Sequence, residues 1–149
     1  MSSGALERRG TGLDYLQRIV AGELPGVPIG ETLGFRLVEV AKGLAVLRGA
    51  PDERSYNLIG SVHGGWAASI LDSALALSTL AALDETQGFT TVDIRINFLR
   101  PLTQQTGEVR AEGRVLQIGR RLAYGEAKLT DAAGKLICHG TGSCLILPR

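Results

Sequence analysis

The sequence predicts an α+β fold in which a curved antiparallel sheet of about six strands wraps one long central helix. Three observations carry this. The stretch Val62–Leu83 opens with Gly64–Gly65 and is then filled by Ala, Leu and Ser, with Ala and Leu strong helix formers. Two stretches before it and four after it carry strand patterns bounded by turn residues. The helix Gly64–Leu83 is apolar almost all round, the pattern of a helix buried on every side, and it is the only element able to cover one face of such a sheet.

Taken in order, residues 1–11 mix Gly, Ser, Glu and Arg and are expected as a loose tail without the apolar core of a secretory signal. Leu13–Ala21 forms a short helix closed by Gly22 and the Pro25–Gly26 turn signal. Pro28–Thr32 is expected as a connector. Phe35–Val40 and Leu44–Gly49 are strands turning at Lys42–Gly43, and Pro51–Ser61 is a polar loop containing Asn57 and Gly60. After the long helix the period becomes two: Val92, Ile94, Ile96 and Phe98 alternate with Asp93, Arg95 and Asn97 until Pro101 ends the strand. Glu108–Leu116 places Glu108, Arg110, Glu112 and Arg114 on one face. Leu122–Leu129 and Leu136–Leu147 complete the set, separated by turns at Ile118–Gly119 and Asp131–Gly134.

The 149 residues suit one domain, 1–149, with no internal repeat. A formal net charge of +1 gives no electrostatic case for duplex nucleic acid. Aromatics are 5%, so the core is built from Leu, Ile, Val and Ala, and the 20 glycines imply tight turns or close backbone approaches. Cys138 and Cys144 lie six apart, on one face of a strand, and read as buried thiols in a reducing cytoplasm; two Cys alone make no zinc site, and no metal is expected. The long helix would reach about 30 Å, enough to cross a bilayer. Asp72 at its centre, dilution by Ser69, Ser73, Ser78 and Thr79, and the alternating strands around it exclude that reading.

Asp72 is the only ionisable residue between His63 and Asp84. A carboxylate buried without partners is costly, so the position needs a reason. It is either a structural Asp bonded to neighbouring hydroxyls or lining a contact between subunits, or an active-site acid or base. At the helix start, His63–Gly64–Gly65 permits close approach of a ligand to backbone amides that lack internal partners and carry the positive end of the helix dipole. Such amides can polarise a carbonyl and hold an oxyanion, or simply form a sharp turn into the helix. Asp72 lies nine residues after His63, which is roughly 180° around the helix and roughly 13 Å along it. The two features of one chain do not easily meet on one carbonyl. They meet if two chains pack with these helices antiparallel, so a homodimer is part of any mechanism that uses both.

The stretch Asn57-Leu-Ile-Gly60-Ser-Val-His63-Gly-Gly-Trp-Ala-Ala-Ser-Ile-Leu-Asp72-Ser-Ala resembles the signature of hotdog-fold acyl-CoA thioesterases, in the branch of the phenylacetate-degradation thioesterases within the 4-hydroxybenzoyl-CoA thioesterase superfamily. The segment Thr90–Pro101 resembles that family's central strand, and the resemblance covers roughly Leu33 to Leu147. It implies a hotdog fold, hydrolysis of an acyl-CoA thioester, no metal and no cofactor beyond the CoA of the substrate. By position, Asp72 matches the carboxylate that activates water or attacks the thioester directly. Gly64 matches the residue whose amide polarises the carbonyl, Asn57 a side chain binding that oxygen or the water, His63 a supporting residue at the helix start, and Thr91 a hydroxyl assisting the water. Some branches carry Glu where this chain has Asp72. Arg120 and Arg121, at a tight turn after Gly119, and Arg100, before Pro101, are candidates for the CoA phosphates, with solvated surface charge as the alternative reading.

Two other readings compete. A hotdog dehydratase or hydratase needs a His paired with a carboxylate across the site, and the spacing of His63 and Asp72 fits the thioesterase pattern better. A non-catalytic acyl-CoA-binding protein has no need to keep Asn57, Gly64, Asp72 and Thr91 together. Trp66, Leu71, Leu75 and Leu99 are candidates to line the acyl pocket. The expected assembly is a homodimer with sites at the subunit interface, arranged as a dimer of dimers.

Overall fold

The computed structural model describes residues 8–149. Helix α1 (Gly12–Val20) and a short helix α2 (Pro28–Leu33) precede strands β1 (Phe35–Ala41) and β2 (Leu44–Gly49). The long helix α3 (Gly64–Leu80) follows, and then β3 (Gln87–Phe98), β4 (Val109–Ile118), β5 (Leu122–Thr130) and β6 (Leu136–Pro148). The strands form one six-stranded sheet in the order β1-β2-β4-β5-β6-β3, every neighbour antiparallel. This curved sheet with its helix is the hotdog architecture that the sequence led us to expect.

Helix and sheet meet through apolar faces. Ile70, Leu71, Ala74 and Leu75 of α3 pack with Ala45 and Leu47 of β2, Ala111 of β4 and Leu129 of β5 in one core. Removing Ile70, Leu71 or Leu75 from water contributes about 2 kcal/mol each. Glycines set how deep α3 sits. A Cβ on Gly113 would stand 2.1 Å from the Ala74 carbonyl oxygen, and one on Gly125 or Gly142 would meet the Leu75 side chain at 2.7 Å. These three glycines, on β4, β5 and β6, form a trough into which α3 sinks. At these three positions glycine is needed for the close approach of helix and sheet.

Five local expectations are corrected. Pro28–Thr32 is helical, not a connector: Pro28 suits the first turn, and Gly34 ends α2 at φ 77°. Helix α3 stops at Leu80 instead of Leu83, because the chain tightens into Ala82→Thr79 and Leu83→Leu80 amide-to-carbonyl bonds and Leu83 turns inward to accept from the Gly12 amide. Helix α3 is also not buried on every side. Ala68, Ser69, Asp72, Ser73 and Ala76 form a half-buried stripe that the sheet of the same chain does not cover. The alternation in β3 breaks: Thr91 pairs with Cys144 and Asp93 with Ser143, so Val92 is the extra residue of a β-bulge and is 59% exposed. Finally, of the tail expected over residues 1–11, residues 1–7 lie outside the described residues, while the Arg8 guanidinium donates to the carbonyls of Asp84 and Gln87 and Thr11 caps α1.

On the outer face of the sheet, Glu112 accepts from Arg110 at 2.6 Å and from Arg114 at 2.7 Å. Burial pushes its carboxyl up, but these two guanidinium bonds outweigh that and hold it below the usual carboxylate range. Among the described residues β3 pairs only with β6, so beyond Gln87, whose carbonyl accepts from Arg8, its far edge is open. Among the described residues no helix is long and apolar enough to cross a membrane.

Candidate active site

The start of α3 is built by its cap. His63 is the N-cap residue, and its Nδ1 accepts the Gly65 N–H at 2.8 Å. That bond leaves the proton of the neutral ring on Nε2. Gly64 is the first helical residue, so its N–H has no carbonyl one turn back to bond. It lines a cleft of about 300 Å³ together with His63, Ser61, Phe98, Arg100 and Cys138. A Cβ on Gly64 would stand 3.2 Å from the Phe98 ring, so glycine keeps the approach to this amide open. Burial pushes the Cys138 thiol up to about 11. It is therefore a neutral wall of the cleft at physiological pH and not a nucleophile.

Asn57 organises the loop that leads into this cleft. Its Oδ1 accepts from the Ile59 amide at 2.9 Å and the Ser61 amide at 3.4 Å, and its Nδ2 donates to Ser61 Oγ at 3.2 Å. These bonds tie the two sides of the loop together, with Leu58 and Ile59 at its tip, 105% and 87% exposed.

Asp72 sits elsewhere. It lies on the open stripe of α3, half-buried, and its Oδ1 accepts from Thr91 Oγ1 at 3.0 Å. The bulge at Val92 makes this contact possible. Ile94 and Ile96 pack into the main core, while on the other side of the bulge Phe89 packs against Leu83, Ala123, Cys144 and Ile146. The extra residue switches which parity points inward, and Thr91 turns toward Asp72.

Within one chain the predicted site residues therefore fall into two groups. Asp72 and Thr91 are brought together, as are His63, Gly64 and Arg100, with Asn57 beside them. The two groups are held apart: Asp72 does not line the Gly64 cleft. Arg120 and Arg121 line a separate cleft of about 650 Å³ with Thr86, Gln87 and Arg149, at the end of β3 away from Phe98 and Arg100. Of the apolar pocket candidates, only Leu99 lines the Gly64 cleft. Leu71 and Leu75 are in the core, and Trp66 faces a second cleft of about 370 Å³ while its indole N–H donates to the Leu33 carbonyl.

A family model described as the thioesterase superfamily matches residues 59–138, more than half of the chain and all of the helix that carries Gly64 and Asp72. The chain belongs to the thioesterase superfamily. Human acyl-coenzyme A thioesterase 13 is 34% identical over 108 residues, covering 70% of this chain and 74% of that protein. The 1,4-dihydroxy-2-naphthoyl-CoA hydrolase of Listeria monocytogenes is 29% identical over 108 residues, covering 72% of this chain and 86% of that one. Among solved structures, a phenylacetic acid degradation-related thioesterase from Ralstonia eutropha superposes with a TM-score of 0.78 at 28% identity, covering 88% of this chain and 98% of that chain. This thioesterase is thus a thioester hydrolase of hotdog fold. Sequence reasoning missed Phe98 and Cys138 as walls of its Gly64 cleft and Cys144 as a neighbour of Thr91. The even spacing of the two cysteines marked one strand face, but no local signal says which strand lies opposite.

Proposed function

We propose that this chain hydrolyses an acyl-CoA thioester to the free acid and CoA, with Asp72 as general base or nucleophile and the Gly64 amide polarising the carbonyl. The observation that carries the reading is the half-buried carboxylate of Asp72, placed on the uncovered stripe of an otherwise apolar helix and oriented by Thr91. With Oδ1 taken by the Thr91 hydroxyl, Oδ2 is the oxygen left to take a proton from water or to attack. As base, Asp72 receives the water proton while the hydroxyl oxygen bonds the carbonyl carbon. The C–S bond then breaks, and the thiolate of CoA leaves with the electron pair. The negative oxygen formed on the way rests at the Gly64 N–H, where one such donor is worth about 3 kcal/mol. Asn57 and His63 shape that donor by holding the loop and the cap. Within one chain His63 and Asp72 serve different partners: His63 Nδ1 accepts the Gly65 amide, and Asp72 Oδ1 accepts the Thr91 hydroxyl.

Because Gly64 and Asp72 of one chain lie apart, each site combines the Gly64 cleft of one chain with Asp72 of a second. The open small-residue stripe of α3, the unpaired edge of β3 and the exposed Leu58–Ile59 tip all support an apposed copy. Sedimentation at assay concentration is expected to give a homodimer as the smallest active species, assembled further as a dimer of dimers. Full activity in a monomer would overturn the shared site. Two buried free thiols suit a reducing cytoplasm, where we place the reaction.

Thiol release measured across a panel of acyl-CoA esters tests the activity. Release of CoA in step with free acid is expected from at least one of them. Dehydration of a hydroxyacyl-CoA without release, or binding without turnover, would sink it. In the same assay Arg120→Ala combined with Arg121→Ala is expected to raise KM several-fold with little change in kcat, because a phosphate contact is shared by ground and transition states. An unchanged KM would make the pair ordinary surface charge, leaving Arg100, which lines the Gly64 cleft, as the candidate cation.

A further inference from the structure

Beneath Asp72 three elements close on one point. Thr79 stands seven residues after Asp72 on α3, about 20° short of two full turns, so both project from the same side of the helix. Thr91 follows from β3 at the bulge, and Cys144 is its direct cross-strand partner on β6. Directly opposed side chains in an antiparallel pair stand about 5 Å apart at Cβ. Cys144 is fully buried, Thr79 almost so, and Cys144 shares a small apolar cluster with Leu83, Ala123 and Ile146, against which Phe89 packs. Among the described residues Thr91 is the one side chain bonded to Asp72, so whatever fixes its rotamer bears on the carboxylate.

We propose that Cys144 is a positioning residue for the hydrolysis: wedged between Thr79 and Thr91, it holds the Thr91 hydroxyl in the rotamer that donates to Asp72 Oδ1 and so keeps Oδ2 aimed at the reacting water. This rests on the reading of Asp72 as the hydrolytic carboxylate. The chemistry of the pocket agrees. Burial pushes the Cys144 thiol up; the hydroxyls of Thr79 and Thr91 pull the other way, and the charges of Asp72 and Asp93 add to the upward push. The sulfur thus keeps its proton near neutral pH. In the proposed arrangement the Thr91 proton goes to Asp72, which leaves Thr91 Oγ1 to accept from the S–H of its cross-strand partner and the Thr79 hydroxyl to donate to the sulfur. A hydroxyl that rotates freely about its χ1 offers that bond only part of the time, whereas a hydroxyl held from behind offers it always.

The test uses the full chain, with thiol release and melting temperature read on each sample. Cys144→Ala and the volume-filling Cys144→Val are expected to lower kcat about 5- to 10-fold with KM unchanged, and Cys144→Ser, which keeps a donor and an acceptor, to recover most of the loss. Thr91→Val is expected to lower kcat at least as far. Cys144→Ala added to Thr91→Val should then cost little more, because the cysteine acts through a hydroxyl already gone. Additive losses in the double variant, or a kcat within two-fold of wild type in Cys144→Ala and Cys144→Val, would overturn the proposal. Should Cys144→Ala and Cys144→Val melt too early to assay, Thr79→Val probes the seam from its other side, and an unchanged kcat there would equally overturn it. Asp72→Asn separates the two levels. If it retains turnover, the reading of the site fails; if it is dead while the Cys144 variants are unaffected, only the positioning role fails.

Discussion

Asp72→Asn is expected to lower kcat at least ~100-fold, the scale of a lost general base, while the protein stays folded. The amide keeps the shape of the carboxylate and can still accept the Thr91 hydroxyl through its Oδ1, so the packing of α3 against β3 is preserved. What disappears is the basic, nucleophilic second oxygen. A neutral amide is also easier to hold half-buried than a charge, so the melting temperature should be equal or higher. Asp72→Ala should be equally inactive. A purely structural Asp predicts the reverse: lower stability, with normal turnover in whatever remains folded. Thiol release and thermal melting on the same Asp72→Asn sample therefore decide the matter, and turnover within a few-fold of wild type would remove Asp72 from the mechanism.

Gly113→Ala is expected to be the most damaging one-carbon change in the sheet. Its new methyl would stand 2.1 Å from the Ala74 carbonyl oxygen and 2.3 Å from the Ala74 carbonyl carbon, both backbone atoms of α3. A side chain can swing away from such a clash; a helix backbone moves only as a body. Overpacking of this kind costs about 3 kcal/mol, which in a domain of this size lowers the melting temperature by roughly 10 °C. Activity should fall too, because lifting α3 out of its trough separates Asp72 from Thr91. Gly26→Ala is the control: a Cβ there meets nothing within 4 Å, and its φ lies outside the left-handed region. A melting temperature for Gly113→Ala within a couple of degrees of that control would show that α3 does not depend on the trough.

Much of the element order was legible because period and punctuation are local. β2, for instance, runs over the expected Leu44–Gly49, and Gly43 turns into it at φ 71°. Where the reading failed, a tertiary contact had overruled a local signal. Val92 has the side chain of a core strand residue and continues the spacing of Ile94 and Ile96, yet it faces solvent because the pairing of β3 with β6 places a bulge there. Helix α3 reads as buried all round because its open stripe is lined by alanines and serines, which suit a subunit contact as well as a core. Asn57 stood out as a polar residue before the helix, but that it ties the Ile59 and Ser61 amides depends on the path of the loop.

By itself the sequence determined the class of fold, through a single long apolar helix among six strands, and it singled out Asp72, because one charge in such a helix demands a partner. It also marked the His63–Gly64–Gly65 start as a place where backbone can meet a ligand. Only the tertiary structure decided which side chain answers that demand. Thr91 reaches Asp72 because a bulge reverses the pleat of β3, and Cys144 lies behind Thr91 because β6 pairs with β3 in that register. Likewise only the fold separates the Gly64 cleft from Asp72 and sends Arg100 and the Arg120–Arg121 pair to opposite ends of β3. Periodicity is a property of neighbours along the chain, whereas register, depth of helix burial and the meeting of distant strands are set by side-chain volumes summed over the whole core. Gly113, Gly125 and Gly142 act at that level: each is unremarked in its own strand, and together they fix the depth at which Asp72 sits.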